Sequence, residues 1–155
     1  MSLPSLGPRG EGWLLGQLLL LAAVAVAPVV LVVDPAASAA RLIGAVSVVV
    51  GLAVAGRAVL DLGSNLSPFP RPTPHAVLVE HGVYRRLRHP IYAGLVLLAL
   101  GWSLARGSAV GLGLVVVLAV FLDLKARREE ALLAAAFPGY GTYRERTKRF
   151  IPGLY

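Results

Sequence analysis

Residues 80–94 hold the densest set of chemically capable side chains in this sequence. Arg85, Arg86, Arg88, His81, His89, Tyr84 and Tyr92 fall within fifteen positions, and a long apolar run follows at once. Guanidinium and imidazole groups beside a greasy segment suit an anionic or zwitterionic ligand held at a membrane face. Pro90 fits the first turn of a helix, where its missing N–H costs nothing. Arg88 and His89 then stand at a helix N-terminus, whose free N–H groups and dipole attract a carboxylate or phosphate. Gly94 leaves room for a second backbone or a flat ligand. A second polar cluster, Lys125, Glu129 and Glu130, lies beyond the next apolar stretch.

Several chemistries are excluded. The chain has no cysteine, so disulfides, thiolate catalysis and Cys-type zinc sites are ruled out. His81 and His89 lack an acidic or histidine partner at metalloprotease spacing, and no metal site is expected. No Gly-x-Ser-x-Gly elbow, Walker loop or Rossmann Gly-x-Gly-x-x-Gly is present, so a nucleotide-like cofactor must be held in another way.

The elements that position these groups are hydrophobic. Of 155 residues, 57% are hydrophobic and 15% charged, too few charges to coat a soluble domain, which carries about 25%. The fold class expected is all-α: a single polytopic membrane domain over residues 1–155, with about four transmembrane helices and a C-terminal helical cap. The net charge of +7 is distributed between greasy segments rather than along one soluble face. It therefore points to membrane lipids as partners and away from nucleic acid.

The first span is expected over residues 14–33, kinked late by Pro28. Ala25-Val26-Ala27 imitates a signal cleavage site, but the run exceeds the roughly 7–15 residues of a signal core. A tight turn over residues 34–38 leads to a second span, 41–60. There Arg57 can snorkel to the interface as an anchor, and Gly51 and Ala55 offer a small face for close helix packing. Residues 61–77 break the pattern. Pro68, Pro70, Pro72 and Pro74 favour an extended, polyproline-like path. Asn65-Leu66-Ser67 matches a glycosylation sequon but falls in a loop assigned to the cytoplasm.

The third and fourth spans, 91–106 and 108–124, form a hairpin turning at Gly107; one unbroken helix would overshoot the bilayer. The fourth continues as a charged helix over 125–137, with Asp123–Arg127 and Lys125–Glu129 each spaced i,i+4. Thr142-Tyr143-Arg144-Glu145 reads as a capping box opening a last short helix to about Arg149. The apolar tail 150–155 can tuck back against the membrane face. Basic residues gather in the loop 61–90 and the tail 125–155, which places both, with the two termini, in the cytoplasm. Arg88, His89 and Tyr92 then approach Lys125, Glu129 and Glu130. The same charges also fit ordinary interfacial anchors and a solvated helix; the convergence of two distant segments favours a site.

Leu78-Val79, Gly82-Val83-Tyr84 and Arg88-His89-Pro90-Ile91-Tyr92-Ala93-Gly94 resemble the signature of isoprenylcysteine carboxyl methyltransferases and related phospholipid methyltransferases. So do Glu129-Glu130-Ala131-Leu132-Leu133, Phe137, Tyr140, Tyr143 and Ile151-Pro152. The likeness runs from about Ser67 to Pro152; the first two spans share only their greasiness. It implies S-adenosylmethionine as methyl donor, bound without a Rossmann fold at Val77, Leu78, Val79, Tyr84, Arg88, His89, Tyr92, Glu129 and Glu130. It also implies a basic residue on the substrate side four positions before the first glutamate. That is Lys125 here, where the enzymes of the prenylcysteine type have arginine. Lysine is a point charge without arginine's planar fork, which bears on whether the acceptor is a carboxylate. The implied partner is a lipophilic substrate entering from the bilayer: a prenylated peptide, a phospholipid amine, an isoprenoid acid or a thiol. Two other readings are an NADPH-dependent membrane reductase of the sterol-reductase type, which the Glu-Glu-x-x-Leu motif disfavours, and a non-catalytic membrane subunit.

Overall fold

The computed structural model describes residues 4–31, 38–72 and 75–155. Its described residues form five α-helices: α1 Glu11–Val30, α2 Ser38–Leu62, α3 Pro90–Ala105, α4 Ala109–Ala136 and α5 Tyr140–Arg146. Short 3-10 turns stand at Gly63–Asn65 and Gly82–Arg85. Helices α1, α2 (with its following turn) and α4 are long and apolar enough to cross a membrane. Helix α3 is shorter: its 16 residues span about 24 Å, under the roughly 30 Å of a bilayer core. The outward faces carry large apolar side chains such as Leu19, Leu42, Ile43, Val49, Leu60 and Val116, as a helix does when its solvent is lipid.

Small residues turn inward in their place. Helix α2 buries Gly44, Gly51 and Ala58, seven residues apart, and α3 answers with Gly94 and Gly101 at the same interval. A Cβ on Gly51 would stand 2.8 Å from the Gly94 carbonyl oxygen, and one on Gly44 would stand 2.6 Å from that of Gly101. The two backbones are in contact, which only glycine allows. Ser47 adds a hydrogen bond from its hydroxyl to the Leu97 carbonyl at 2.8 Å. The small face expected at Gly51 and Ala55 is therefore the α2–α3 seam, and Gly94 admits a backbone rather than a ligand.

Helices α3 and α4 make the expected hairpin. Gly107 takes a positive φ of 63°, and the Ser108 hydroxyl caps α4 by accepting from the Gly111 N–H at 3.0 Å. Val24, Ala99, Val115, Leu118 and Leu122 form the core between α1, α3 and α4. Trp13 packs on Phe121 with ring centroids 5.4 Å apart. At 28 residues, α4 runs about 42 Å, so its charged last turns project past any bilayer core, as its composition predicts.

Several boundaries differ from expectation. Helix α1 starts and stops three residues early, and α2 begins at Ser38 and runs on through Asp61 and Leu62. The turn expected over 34–38 lies, apart from Ser38, outside the described residues, as do Thr73 and Pro74 of the proline segment. Arg57 is tied down: its guanidinium meets Asp61 at 2.8 Å, one turn on. The capping box does not form. Helix α5 starts at Tyr140 behind Gly139, without a side-chain cap, and ends at Arg146; the Pro138-Gly139 turn ahead of Thr142 already reverses the chain.

Candidate active site

Arg88 and His89 are fixed by backbone before their side chains are considered. The Arg88 N–H donates to the Lys148 carbonyl at 2.8 Å, His89 N–H to Arg149 at 3.1 Å, and Lys148 N–H to Arg86 at 3.0 Å. The strip after α5 thereby docks beside the entry to α3. Tyr143 locks the same junction, its hydroxyl donating to the Tyr84 carbonyl at 2.9 Å. Burial pushes the hydroxyls of Tyr84 and Tyr143 far above the usual tyrosine range, so both stay protonated. Tyr84 is held from the other side by α2: Asp61 accepts the Val83 N–H at 2.8 Å. Gly82, with φ 58°, leaves the space that the Asp61 carboxylate fills.

Beneath this junction lies a cavity of about 540 Å³. Helix α1 contributes Gln17, α2 Val59 and Leu62, and the proline segment Leu66, Pro68 and Phe69. Residues 76–79 and Tyr84 form a further wall, with Arg88, His89, Tyr92, Lys125, Glu129, Leu133 and Phe137 completing it. The lining is mainly apolar with a few convergent polar groups, the usual make-up of a small-molecule site. Residues 77–79 belong to no helix or strand and are anchored by the Val77 N–H on the Asn65 side-chain oxygen at 2.8 Å. Asn65 of the sequon is thus a structural residue on the cavity wall.

Glu129 is the acid of this cavity. The Tyr92 hydroxyl donates to one of its carboxylate oxygens. His89 Nδ1 lies 3.6 Å from the other, and Lys125 Nζ lies 3.9 Å from the first. The His89 and Tyr92 rings stack, 7° from parallel with centroids 5.4 Å apart. Lys125 is 1% exposed. Its ammonium donates to Gln17 Oε1 at 2.6 Å and to the Pro68 carbonyl at 3.1 Å, and sits 5.3 Å from the Tyr92 ring centroid.

Glu130 behaves differently. It does not line the cavity; it is buried in an ion cluster behind the wall. Its Oε1 accepts from Arg88 Nε at 2.9 Å and Arg149 Nε at 3.0 Å, with His89 Nε2 at 3.2 Å, and its Oε2 accepts from Arg149 Nη2 at 3.1 Å. Arg149 also reaches Asp123 at 2.8 Å, and its guanidinium is held charged by the hydrogen bond to Glu130. Asp123 in turn takes the hydroxyl of Tyr155 at 3.0 Å, so the C-terminal tail does fold back. Arg88 Nη1 donates to the Arg144 and Thr147 carbonyls.

Of the ten positions singled out in the sequence, Val77, Leu78, Val79, Tyr84, Arg88, His89, Tyr92, Lys125 and Glu129 line one cavity, and Glu130 does not. Sequence reasoning missed Gln17 and Asp61. Gln17 is the lone polar residue in residues 14–33, and that isolation was its signal; Asp61 was read as the start of a loop.

The phospholipid methyltransferase family matches residues 39–139, a stretch holding most of the cavity wall but neither α1 nor the strip that docks on Arg88. The cobalt-zinc-cadmium resistance protein CzcN of Cupriavidus metallidurans is 36% identical over 78 residues, half of this chain. The matched segment spans 36% of that protein's length. With more than half of its residues inside the family match, and with four apolar helices carrying the cavity, this chain is an integral membrane protein that belongs to the phospholipid methyltransferase family.

Proposed function

We propose that the chain transfers a methyl group from S-adenosylmethionine to a lipophilic acceptor at the cytoplasmic face of a membrane. The observation that carries this reading is Glu129, the one carboxylate among the described residues that line the chamber, braced by Tyr92, His89 and Lys125 and sharing the apolar cavity with residues 77–79. The donor set fits the group. A carboxylate suits the donor's ammonium or ribose hydroxyls, and Arg88 on the cavity wall carries the positive charge a carboxylate needs. Residues 77–79 offer backbone groups to a base, and the chamber falls within the roughly 300–1,000 Å³ of cofactor sites. When bound, S-adenosylmethionine supplies an electrophilic methyl that leaves its sulfonium sulfur for a lone pair of the acceptor.

The protein's part is positioning and drying. Stacked His89 and Tyr92 hold Glu129 in one orientation, and the apolar walls from α2 and the proline segment keep water from the nucleophile. Those walls also suit an acceptor delivered from lipid. The basic residues beside the cavity support a cytoplasmic location for this end of the bundle.

The test is calorimetric titration of the detergent-solubilised protein with S-adenosylhomocysteine, with NADPH as control. Saturable binding of the first that is lost in Glu129→Ala is expected. Binding of NADPH alone would replace this reading with a reductase, and binding of neither by folded protein would remove the enzyme reading altogether.

A further inference from the structure

A second cavity, of about 410 Å³, opens on the same end of the bundle. Three arginines from three separate segments line it: Arg9 from the loop ahead of α1, Arg71 from the proline segment and Arg128 from α4. Leu132 forms part of its floor. We propose that this cavity binds a phosphate group. The inference goes beyond methyl transfer and does not depend on it.

Charge pairing distinguishes these arginines. Arg57, Arg88, Arg127, Arg146 and Arg149 each meet a carboxylate within the protein. Arg128 is half-buried, yet among the described residues its side chain makes no ion pair or hydrogen bond. Arg71 gives one N–H to the Pro8 carbonyl at 3.2 Å and meets no carboxylate. Arg9 has one acid nearby, Glu11, whose carboxylate accepts from the Arg9 backbone N–H at 3.1 Å. Positive charge is therefore in excess inside a concave site. Guanidinium forks supplied by three segments match the several oxygens of a tetrahedral phosphate better than the two coplanar oxygens of a carboxylate.

The cavity shares Pro70 and Arg71 with the active-site wall, so a phosphate held here sits beside the methyl-transfer chamber. The phosphodiester of a membrane lipid and free phosphate present the same chemistry to it. The position, where α1 begins, puts a lipid headgroup within reach.

The experiment titrates the full-length protein in detergent, at constant chloride, with inorganic phosphate, with dihexanoyl-phosphatidylglycerol, and with dihexanoylglycerol, which has the same chains and no phosphate. Arg128→Gln is the chosen variant because the Arg128 side chain makes no ion pair or hydrogen bond among the described residues and does not line the active-site cavity. Saturable binding of a phosphate-bearing probe, weakened about tenfold or more in Arg128→Gln and unaltered in the exposed-site control Arg85→Gln, supports the proposal. Tighter binding of phosphatidylglycerol than of phosphate assigns the site to lipid, and the reverse order assigns it to the free anion. The proposal is overturned if no phosphate-bearing probe saturates, if Arg128→Gln binds as the parent does, or if dihexanoylglycerol binds as well as phosphatidylglycerol. Titration of the same variant with S-adenosylhomocysteine reads the neighbouring chamber separately.

Discussion

Gln17 lies in α1, outside the family match at 39–139, yet it makes the shortest side-chain contact to Lys125, 2.6 Å to Nζ. With Lys125 1% exposed, bulk water is a poor substitute for a lost partner. Replacing Gln17 by Met keeps the volume and removes the acceptor. A neutral interhelical hydrogen bond in a membrane contributes on average about 0.6 kcal/mol, whereas one to a charged group contributes about 1.5–3 kcal/mol. The ammonium keeps the Pro68 carbonyl at 3.1 Å, so a loss of about 1.5 kcal/mol is expected. For a chain of this size that lowers the thermal midpoint by about 3–6 °C. Thermal unfolding in one detergent, with and without S-adenosylhomocysteine, is the assay. The cycle with Lys125→Met should couple by about 0.5 kcal/mol or more, the double variant losing less than the two singles together. If Gln17→Met unfolds with the parent, or the singles add, the Gln17–Lys125 bond does not hold α1 against the cavity, and the reasoning that makes α1 part of the site is wrong.

Other perturbations read other parts of the structure. Tyr92→Phe removes the hydroxyl that donates to Glu129 and should weaken S-adenosylhomocysteine binding by about tenfold, measured by calorimetry; an unchanged affinity would show that Glu129 needs no brace. Gly51→Ala puts a Cβ 2.8 Å from a backbone oxygen of α3 and should cost about 1–3 kcal/mol. Gly56→Ala, with nothing within 4 Å, should be neutral or stabilising by up to about 1 kcal/mol. Equal effects at the two glycines in thermal unfolding would rule out the seam as the reason for them. Tyr140 is 2% exposed and its hydroxyl is buried without a hydrogen-bond partner among the described residues. Tyr140→Phe should therefore leave the unfolding midpoint unchanged or raise it, and a fall would mean the hydroxyl has a partner in the folded protein.

The helical class, the hairpin at Gly107 and the end of the bundle carrying the site were all legible in hydropathy and charge, because a bilayer constrains length and polarity directly. The meeting of Tyr92 with Glu129 followed from the hairpin alone. What stayed hidden involves partners far apart in sequence or backbone geometry. Lys125 was read through its i,i+4 neighbour Glu129, yet its closer contacts are Gln17, 108 positions away, and a proline-segment carbonyl. Asp61 was read as loop because the composition changes there, while the helix continues far enough to set that carboxylate under Gly82. The capping box at Thr142 matched in residue type and failed because Pro138-Gly139 starts α5 earlier.

The pair Glu129-Glu130 shows why motif resemblance needs geometry beside it. Successive residues on an α-helix point about 100° apart, so two adjacent glutamates near the end of α4 meet different surroundings. Glu129 turns to the cavity with Tyr92 and Lys125. Glu130 turns to the cap, where Arg88 and Arg149 neutralise it. His89 lies between them, with Nδ1 toward the first and Nε2 toward the second. The cap that closes the chamber and the carboxylate that faces a ligand are therefore joined through one imidazole. Arg149→Met probes this coupling, together with the Arg149 bonds to Asp123 and Tyr155. It leaves every cavity-lining residue in place and strips Glu130 of two guanidinium hydrogen bonds, a buried-pair loss of about 3–5 kcal/mol. If the cap positions the site, S-adenosylhomocysteine affinity must fall along with stability, and fall further than in Arg127→Met, whose ion pair with Asp123 is exposed. A variant that unfolds earlier yet binds with parental affinity while folded would show that Glu130 serves the fold alone.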